Sequence, residues 1–140
     1  MSTSNELKLQ GLLYLFFSEL ASISTKPYKA KNSFENIYIT KSIEFIEKNY
    51  DNESISLNTV AASVNLSPSH FSTIFSQEMG QTFIEFLTKV RMEKAKELLR
   101  TSSMKTTEIA FAVGYKDSHY FSYLFKKTQK CTPREFRSQV

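Results

Sequence analysis

A chain of 140 residues has room for one domain and an appendage. Its single cysteine, Cys131, excludes an internal disulfide and fits a reducing compartment. The net charge of +4 is mildly basic but unevenly spread: residues 41–80 hold two Lys or Arg against five Asp or Glu, and residues 105–140 hold seven against three.

Only three glycines and three prolines punctuate the sequence, and apolar residues recur at threes and fours rather than twos. The predicted fold class is all-α. A first helix is expected over about 6–24, with Leu9, Leu12, Leu13, Phe16, Leu20 and Ile23 on one stripe and Phe17 beside it. The apolar run from Leu12 to Phe17 stops at Ser18-Glu19. That is far short of the ~20 apolar residues of a membrane span, and no signal-peptide frame surrounds it. No membrane partner is expected, and the expected location is cytoplasmic. Residues 25–35, polar, basic and containing Pro27, read as a linker. A second helix is expected over about 36–50, with Ile39, Ile43, Ile46 and Tyr50 on one face.

Ser56 is placed to cap a short helix of about 57–64, and Asn65-Leu66 to turn the chain. Ser67-Pro68 opens a helix that Gly80 ends near Met79. Thr82-Phe83-Ile84-Glu85 has the form of a capping box for a long helix to about Arg100. Thr106 or Thr107 opens another short helix ending at Val113, Gly114-Tyr115 turns the chain, and Asp117 caps a helix to about Thr128. Thr132-Pro133-Arg134-Glu135 is a second capping box, opening a short final helix.

The chain repeats itself. Phe71, Ser72, Phe75, Thr82, Glu85 and Phe86 recur 50 residues later as Phe121, Ser122, Phe125, Thr132, Glu135 and Phe136. Upstream the offset is 49: Val60-Ala61, Val64 and Leu66 match Ile109-Ala110, Val113 and Tyr115, so the second turn holds one extra residue. Each copy has a small alanine where two helices must approach, then Asn65 or Gly114, residue types that tolerate positive φ. An aromatic pair spaced by four follows. This is the pattern of a helix-turn-helix, whose second helix enters the major groove of DNA. A connecting helix of about 18 residues spans roughly 27 Å, the scale of the ~34 Å between successive major-groove faces.

Residues from about 36 to 140 resemble the C-terminal DNA-binding domain of AraC/XylS-type transcription regulators. The resemblance rests on Val60-Ala61, Val64, Leu66-Ser67, Phe71, Phe75 and Gly80, then Arg91-Met92, Ala95 and Leu98-Leu99. It continues with Ile109-Ala110, Val113-Gly114-Tyr115, Tyr120-Phe121, Phe125-Lys126-Lys127, Thr132-Pro133 and Phe136-Arg137. It implies a bacterial regulator, usually an activator, that binds about two turns of double-stranded DNA, with RNA polymerase as a further partner. Residues 1–35 form the first segment and 36–140 the DNA-binding domain. Within the latter, the first helix-turn-helix is expected at about 57–80, the linker helix at about 83–101 and the second helix-turn-helix at about 107–128. Many family members carry a cupin-like, sugar-binding domain in front. Residues 6–24 resemble the last helix of such a domain, so the chain reads as a fragment or a stripped-down member, and carbohydrate-utilisation genes are the expected targets.

On the recognition helices Phe71, Ile74 and Phe75 are expected inward, as are Phe121, Leu124 and Phe125. That leaves Ser69, Ser72 and Thr73, and Ser118, His119, Ser122 and Tyr123, as base-facing candidates, and by resemblance they match the family's base-facing positions. No arginine lies in either helix, so the fork that reads guanine is missing. Shape readout and a preference for A·T-rich sites are expected. Phosphate candidates are Lys116, Lys126, Lys127 and Arg134, with backbone N–H groups at the helix starts near Ser56 and Thr107. An ordinary solvated helix face is the alternative for Ser69, Ser72 and Thr73, solvent is the alternative for Lys126 and Lys127, and His70 is either structural or a phosphate donor.

Two histidines, one cysteine and no clustered carboxylates supply neither metal ligands nor a nucleophile–base pair. The chain is read as no enzyme, with no cofactor and no metal. Cys131 beside Thr132-Pro133 reads as a packed or partly exposed thiol. The competing class is a protein-interaction module with relic helix-turn-helix units, which the acidic stretch 41–80 supports. Three readings of helix 6–24 stay open: a leftover core helix, a homodimerisation helix, or a flap on the DNA-binding unit.

Overall fold

The computed structural model describes residues 31–140, with the side chains described from residue 36. The expected helix at 6–24, and the homodimer contact assigned to it, lie outside the described residues. Among those described, every regular element is a helix, as the three-four periodicity predicts.

Helix α1 (Lys31–Asn49) buries Ile39, Ile43 and Ile46. It takes in residues 31–35, which the sequence reading assigned to a linker. The reason is that no glycine or proline lies between Pro27 and Pro68 to stop it. Helix α2 (Leu57–Ser63) starts where Ser56 caps it: Thr59 N donates to Ser56 Oγ at 3.3 Å, and Ser56 N donates to Thr59 Oγ1 at 2.9 Å. Asn65 then adopts φ 59°, and Leu66 N donates to Ala61 O at 3.0 Å, which reverses the chain. Helix α3 (Pro68–Met79) has Ser67 as its cap, and Gly80 ends it at φ 67°.

Helix α4 (Phe83–Thr101), about 28 Å at 1.5 Å per residue, follows Thr82, whose Oγ1 accepts from Glu85 N at 3.2 Å. The reciprocal half of the expected box is made to the Thr82 hydroxyl, which donates to Glu85 Oε1 at 3.2 Å, rather than to the backbone. Helix α5 (Thr106–Ala112) is capped from Lys105, whose N–H donates to Glu108 Oε1 at 3.2 Å. Gly114 takes φ 102°, and Tyr115 N donates to Ala110 O at 2.9 Å, the counterpart of the Leu66–Ala61 bond. Helix α6 (Ser118–Gln129) begins at Asp117, whose Oδ1 accepts from His119 N at 2.8 Å and Tyr120 N at 3.3 Å. Helix α7 (Pro133–Ser138) repeats the threonine cap through Thr132.

The repeat is visible in the packing. Ala61 and Ala110 are both 0% exposed at the contacts of α2 with α3 and of α5 with α6. The Phe71/Phe75 rings stand 5.4 Å apart and the Phe121/Phe125 rings 5.9 Å. Phe86 then meets Phe75 edge-on at 5.7 Å, and Phe136 meets Phe125 edge-on at 5.8 Å. Burying one such ring stabilises by roughly 1.5–3 kcal/mol, so the aromatic ladder holds each unit together. The copies differ at one expected core position. Ile74 is buried, whereas Leu124 is only half-buried. The first recognition helix packs against α1, and the corresponding helix of the second unit, α4, has no comparable contact with α6.

Among the described residues there are two hydrophobic cores, one per unit. Phe83, Phe86, Leu87 and Val90 of α4 belong to the first, and Met92, Ala95 and Leu99 to the second. Arg91 stands at the boundary.

Candidate nucleic-acid interface

Helices α3 and α6 each bury one stripe and leave the opposite face of their first two turns within reach of solvent. In α3, Ser69 and Thr73 are exposed and Ser72 is half-buried. The Thr73 hydroxyl donates to Ser69 O at 3.0 Å, so its proton is committed to the helix and it offers outward a methyl group and an acceptor lone pair. In α6, His119 is exposed, Ser118 and Ser122 are half-buried, and Tyr123 is 59% exposed. All seven base-facing candidates therefore retain access to solvent on two helices carried by α4. His70 is exposed beside them.

A residue that periodicity alone did not single out belongs with them. Tyr120 is 53% exposed, stacks on Tyr123 at 6.4 Å with the ring planes 23° apart, and meets Tyr115 edge-on at 6.1 Å. Its signal was its spacing: it lies three residues before Tyr123, on the same face of the helix. An aromatic surface of this kind can contact thymine methyl groups and sugars through dispersion.

The cationic candidates are less uniform. Lys126 and Lys127 are exposed at the end of α6, and Lys127 Nζ lies 5.9 Å from the Tyr123 ring centre. Lys116 is exposed in the second turn and its Nζ lies 3.8 Å from Glu53 Oε1 of the first unit. Such a surface pair is worth about 0–1 kcal/mol, and leaves the ammonium free to exchange partners. Arg134 is exposed in α7. The Ser56 side chain is occupied by its cap, and Thr107 is the second residue of α5, exposed, with the cap position held by Lys105. An exposed lysine at that helix start is a further basic group that the sequence reading assigned to no role.

Among the described residues three groups have displaced ionisation, and none of them is on the exposed face of α3 or α6. Burial lowers the Arg91 guanidinium from its usual value, opposed by Tyr115 and Asp51. Burial raises the Tyr115 and Tyr50 hydroxyls. Among the described residues there is no group of three or more His, Cys, Asp or Glu placed to hold a metal ion, and no helix long and apolar enough to cross a membrane.

Comparison with known proteins places these features in a family. Residues 60–139 match the helix-turn-helix domain family model. The chain is 32% identical over 136 residues to the lactose operon transcription activator of Staphylococcus xylosus, covering 97% of this chain and 48% of that protein. It is 31% identical over 143 residues to the raffinose operon transcriptional regulatory protein RafR of Pediococcus pentosaceus, covering 99% of this chain and 50% of that one. The chain thus spans about half the length of these two relatives. The C-terminal domain of AraT, a response regulator from Geobacillus stearothermophilus, superimposes with a TM-score of 0.72 at 39% identity, over 74% of this chain and 85% of that one. With the duplicated helix-turn-helix and its linking helix on view, the chain belongs to the AraC-type family of helix-turn-helix, DNA-binding transcription regulators.

Proposed function

We propose that α3 and α6 enter successive major-groove segments of one double-stranded DNA site, and that the regulated genes serve carbohydrate utilisation. The observation that carries the first part is the pair of solvent-reachable faces over the first two turns, Ser69, Ser72 and Thr73 on one helix and Ser118, His119, Ser122 and Tyr123 on the other, joined by a helix of about 28 Å. That span approaches the ~34 Å turn of DNA. Hydroxyls, one imidazole and exposed tyrosines make single hydrogen bonds and apolar contacts, which favours A·T-rich sites over guanine-rich ones. Lys116, Lys126, Lys127 and Arg134 grip phosphate, with backbone N–H groups near Ser56 and Thr107 as weaker contributors. The carbohydrate assignment is supported by the lactose and raffinose operon relatives.

The test is selection of bound sites from a random DNA library at near-physiological salt. The reading expects two short enriched blocks about ten base pairs apart. One block alone refutes insertion of both helices. No enrichment, with weak binding that vanishes as salt rises, refutes sequence-specific binding altogether. A guanine–cytosine-only motif refutes the A·T preference.

A further inference from the structure

We infer that Arg91 is the positioning residue that fixes the two recognition helices relative to each other, and so sets the spacing of the DNA site; this rests on the proposed two-helix insertion. Arg91 is 7% exposed and stands on α4 between the last residue of the first core, Val90, and the first of the second, Met92. Its Nε donates to Tyr50 O at 2.7 Å and its Nη2 to Asn52 O at 3.1 Å, both in the turn that follows α1. Its guanidinium carbon lies 4.8 Å from the centre of the Tyr115 ring, in the turn of the second unit. One planar side chain thus touches both units.

Gly114 closes the same joint. A Cβ there would lie 2.6 Å from Tyr50 O and 2.8 Å from Arg91 Nη2, and φ is +102°, so both space and backbone require glycine. Outside α4, no helix of the first unit packs extensively on a helix of the second. The relative placement of α3 and α6 therefore depends on α4, on this joint and, more weakly, on the exposed Lys116–Glu53 pair beside it.

The repeat shows what is special about Arg91. Arg137 makes the same fork, Nε to Leu99 O at 3.2 Å and Nη2 to Ser102 O at 3.1 Å, but it ties α7 to the end of α4 within one unit. The residue 50 before Arg137 is Leu87, which is buried in the first core. In the first unit the fork is supplied one helical turn later, by a residue that also reaches the second unit. A fork that served only to close the first unit has no need of that displacement.

The experiment compares the wild-type chain with Arg91→Met and Arg91→Lys. Lysine keeps the charge but cannot reproduce two fixed N–H directions and a stacking plane. Spin labels at Gln77→Cys and Lys127→Cys, with Cys131→Ser, report the α3–α6 distance distribution without DNA. Binding is then measured on the selected site, on each block alone, and on sites with one or two base pairs inserted between blocks. We expect a narrow distance distribution in the wild type and a broad one in both variants. Single-block affinity should hold within about two-fold, while two-block affinity falls on the order of ten-fold as the effective concentration of the second helix drops. Inserted base pairs should then cost the variants less than the wild type. An unchanged distance distribution, or equal losses on single and paired blocks, overturns the inference and makes Arg91 a stabilising residue only. Should Arg91→Met not fold, Arg91→Lys decides by the same criteria. If wild-type binding is indifferent to spacing, the two-helix reading has failed, and the distance distributions alone decide whether Arg91 positions the units.

Discussion

The duplicated ends of the recognition helices provide an internal control on backbone strain. Gly80 closes α3 at φ 67°, and Lys130, 50 residues on, closes α6 at φ 68°. Their N–H groups donate to equivalent carbonyls, Ser76 O at 3.0 Å and Lys126 O at 2.9 Å. The geometry is the same, but glycine adopts it freely, whereas an L-residue with a Cβ gives up roughly 1–2 kcal/mol. Lys130→Gly removes that strain and adds about 0.4–1 kcal/mol of unfolded-state freedom. The net expectation is a gain of about 0.5–1 kcal/mol. For a domain of this size that is a rise in Tm of roughly 2–6 °C. Gly80→Ala should lose a similar amount. Thermal unfolding followed by circular dichroism reads both. A fall in Tm for Lys130→Gly refutes the argument: it would mean that the exposed bond from Lys130 Nζ to Lys127 O, 3.3 Å, outweighs the strain.

Lys126→Ala and Lys127→Ala should each flatten the dependence of log K on log salt by about one unit, with little change in sequence preference; an unchanged slope places that lysine in solvent. Substitution of His119 by alanine, which removes one single hydrogen bond, should cost about 0.5–1.5 kcal/mol at one block of the selected site, and Ser72→Ala should act at the other block; losses spread evenly over both blocks would refute the assignment of one helix per block. Thr73→Val keeps the methyl group and loses a hydroxyl proton already committed to Ser69 O, so titration of DNA binding should show a smaller loss than for Thr73→Ala. Phe125→Ala, which removes a ring packed on Phe121 and Phe136, should destabilise by about 3–5 kcal/mol in chemical unfolding.

Where local chemistry was decisive, the sequence was readable. Ser67-Pro68 and Gly80 bound α3 in the structure as they do on paper, because a cap, a proline without an N–H and a left-handed glycine each act within one turn. The inward stripe of α3 followed from its period, and with it the exposed positions of the candidate interface. The end of α6 was less legible because Lys130 does the work of a glycine, with no residue type to announce it. The start of α1 was misplaced because no breaker marks it. The direction of the Thr73 hydroxyl, the Tyr120–Tyr123 stack and the Arg91 fork are tertiary or rotameric facts, and residue type alone does not fix them. Arg91 in particular enters the family resemblance on paper, but its residue type does not show that it is buried and touches both units.

The two units share a frame and differ in surface, and that difference bears on why a fixed joint matters. Residues 41–80 hold two basic and five acidic side chains, residues 105–140 seven and three. The last turn of α6 carries Lys126 and Lys127, and that of α3 carries no basic residue. On the proposed reading, most of the salt-dependent attraction to phosphate therefore comes from the second unit. The first unit, acidic and equipped with two serines and a threonine, has little affinity of its own to bring it to the groove. It gains a hold only when the second unit is bound and α4 delivers it at the right distance, which converts a weak contact into an intramolecular one. A loose joint would spread that delivery over many positions and lose most of the gain. Two strongly basic units would each find DNA unaided and tolerate a flexible connection. On the proposed two-helix reading, an acidic first unit tied to its partner through a buried arginine and a glycine with no room for a Cβ is the arrangement that would make recognition by the first helix conditional on the second.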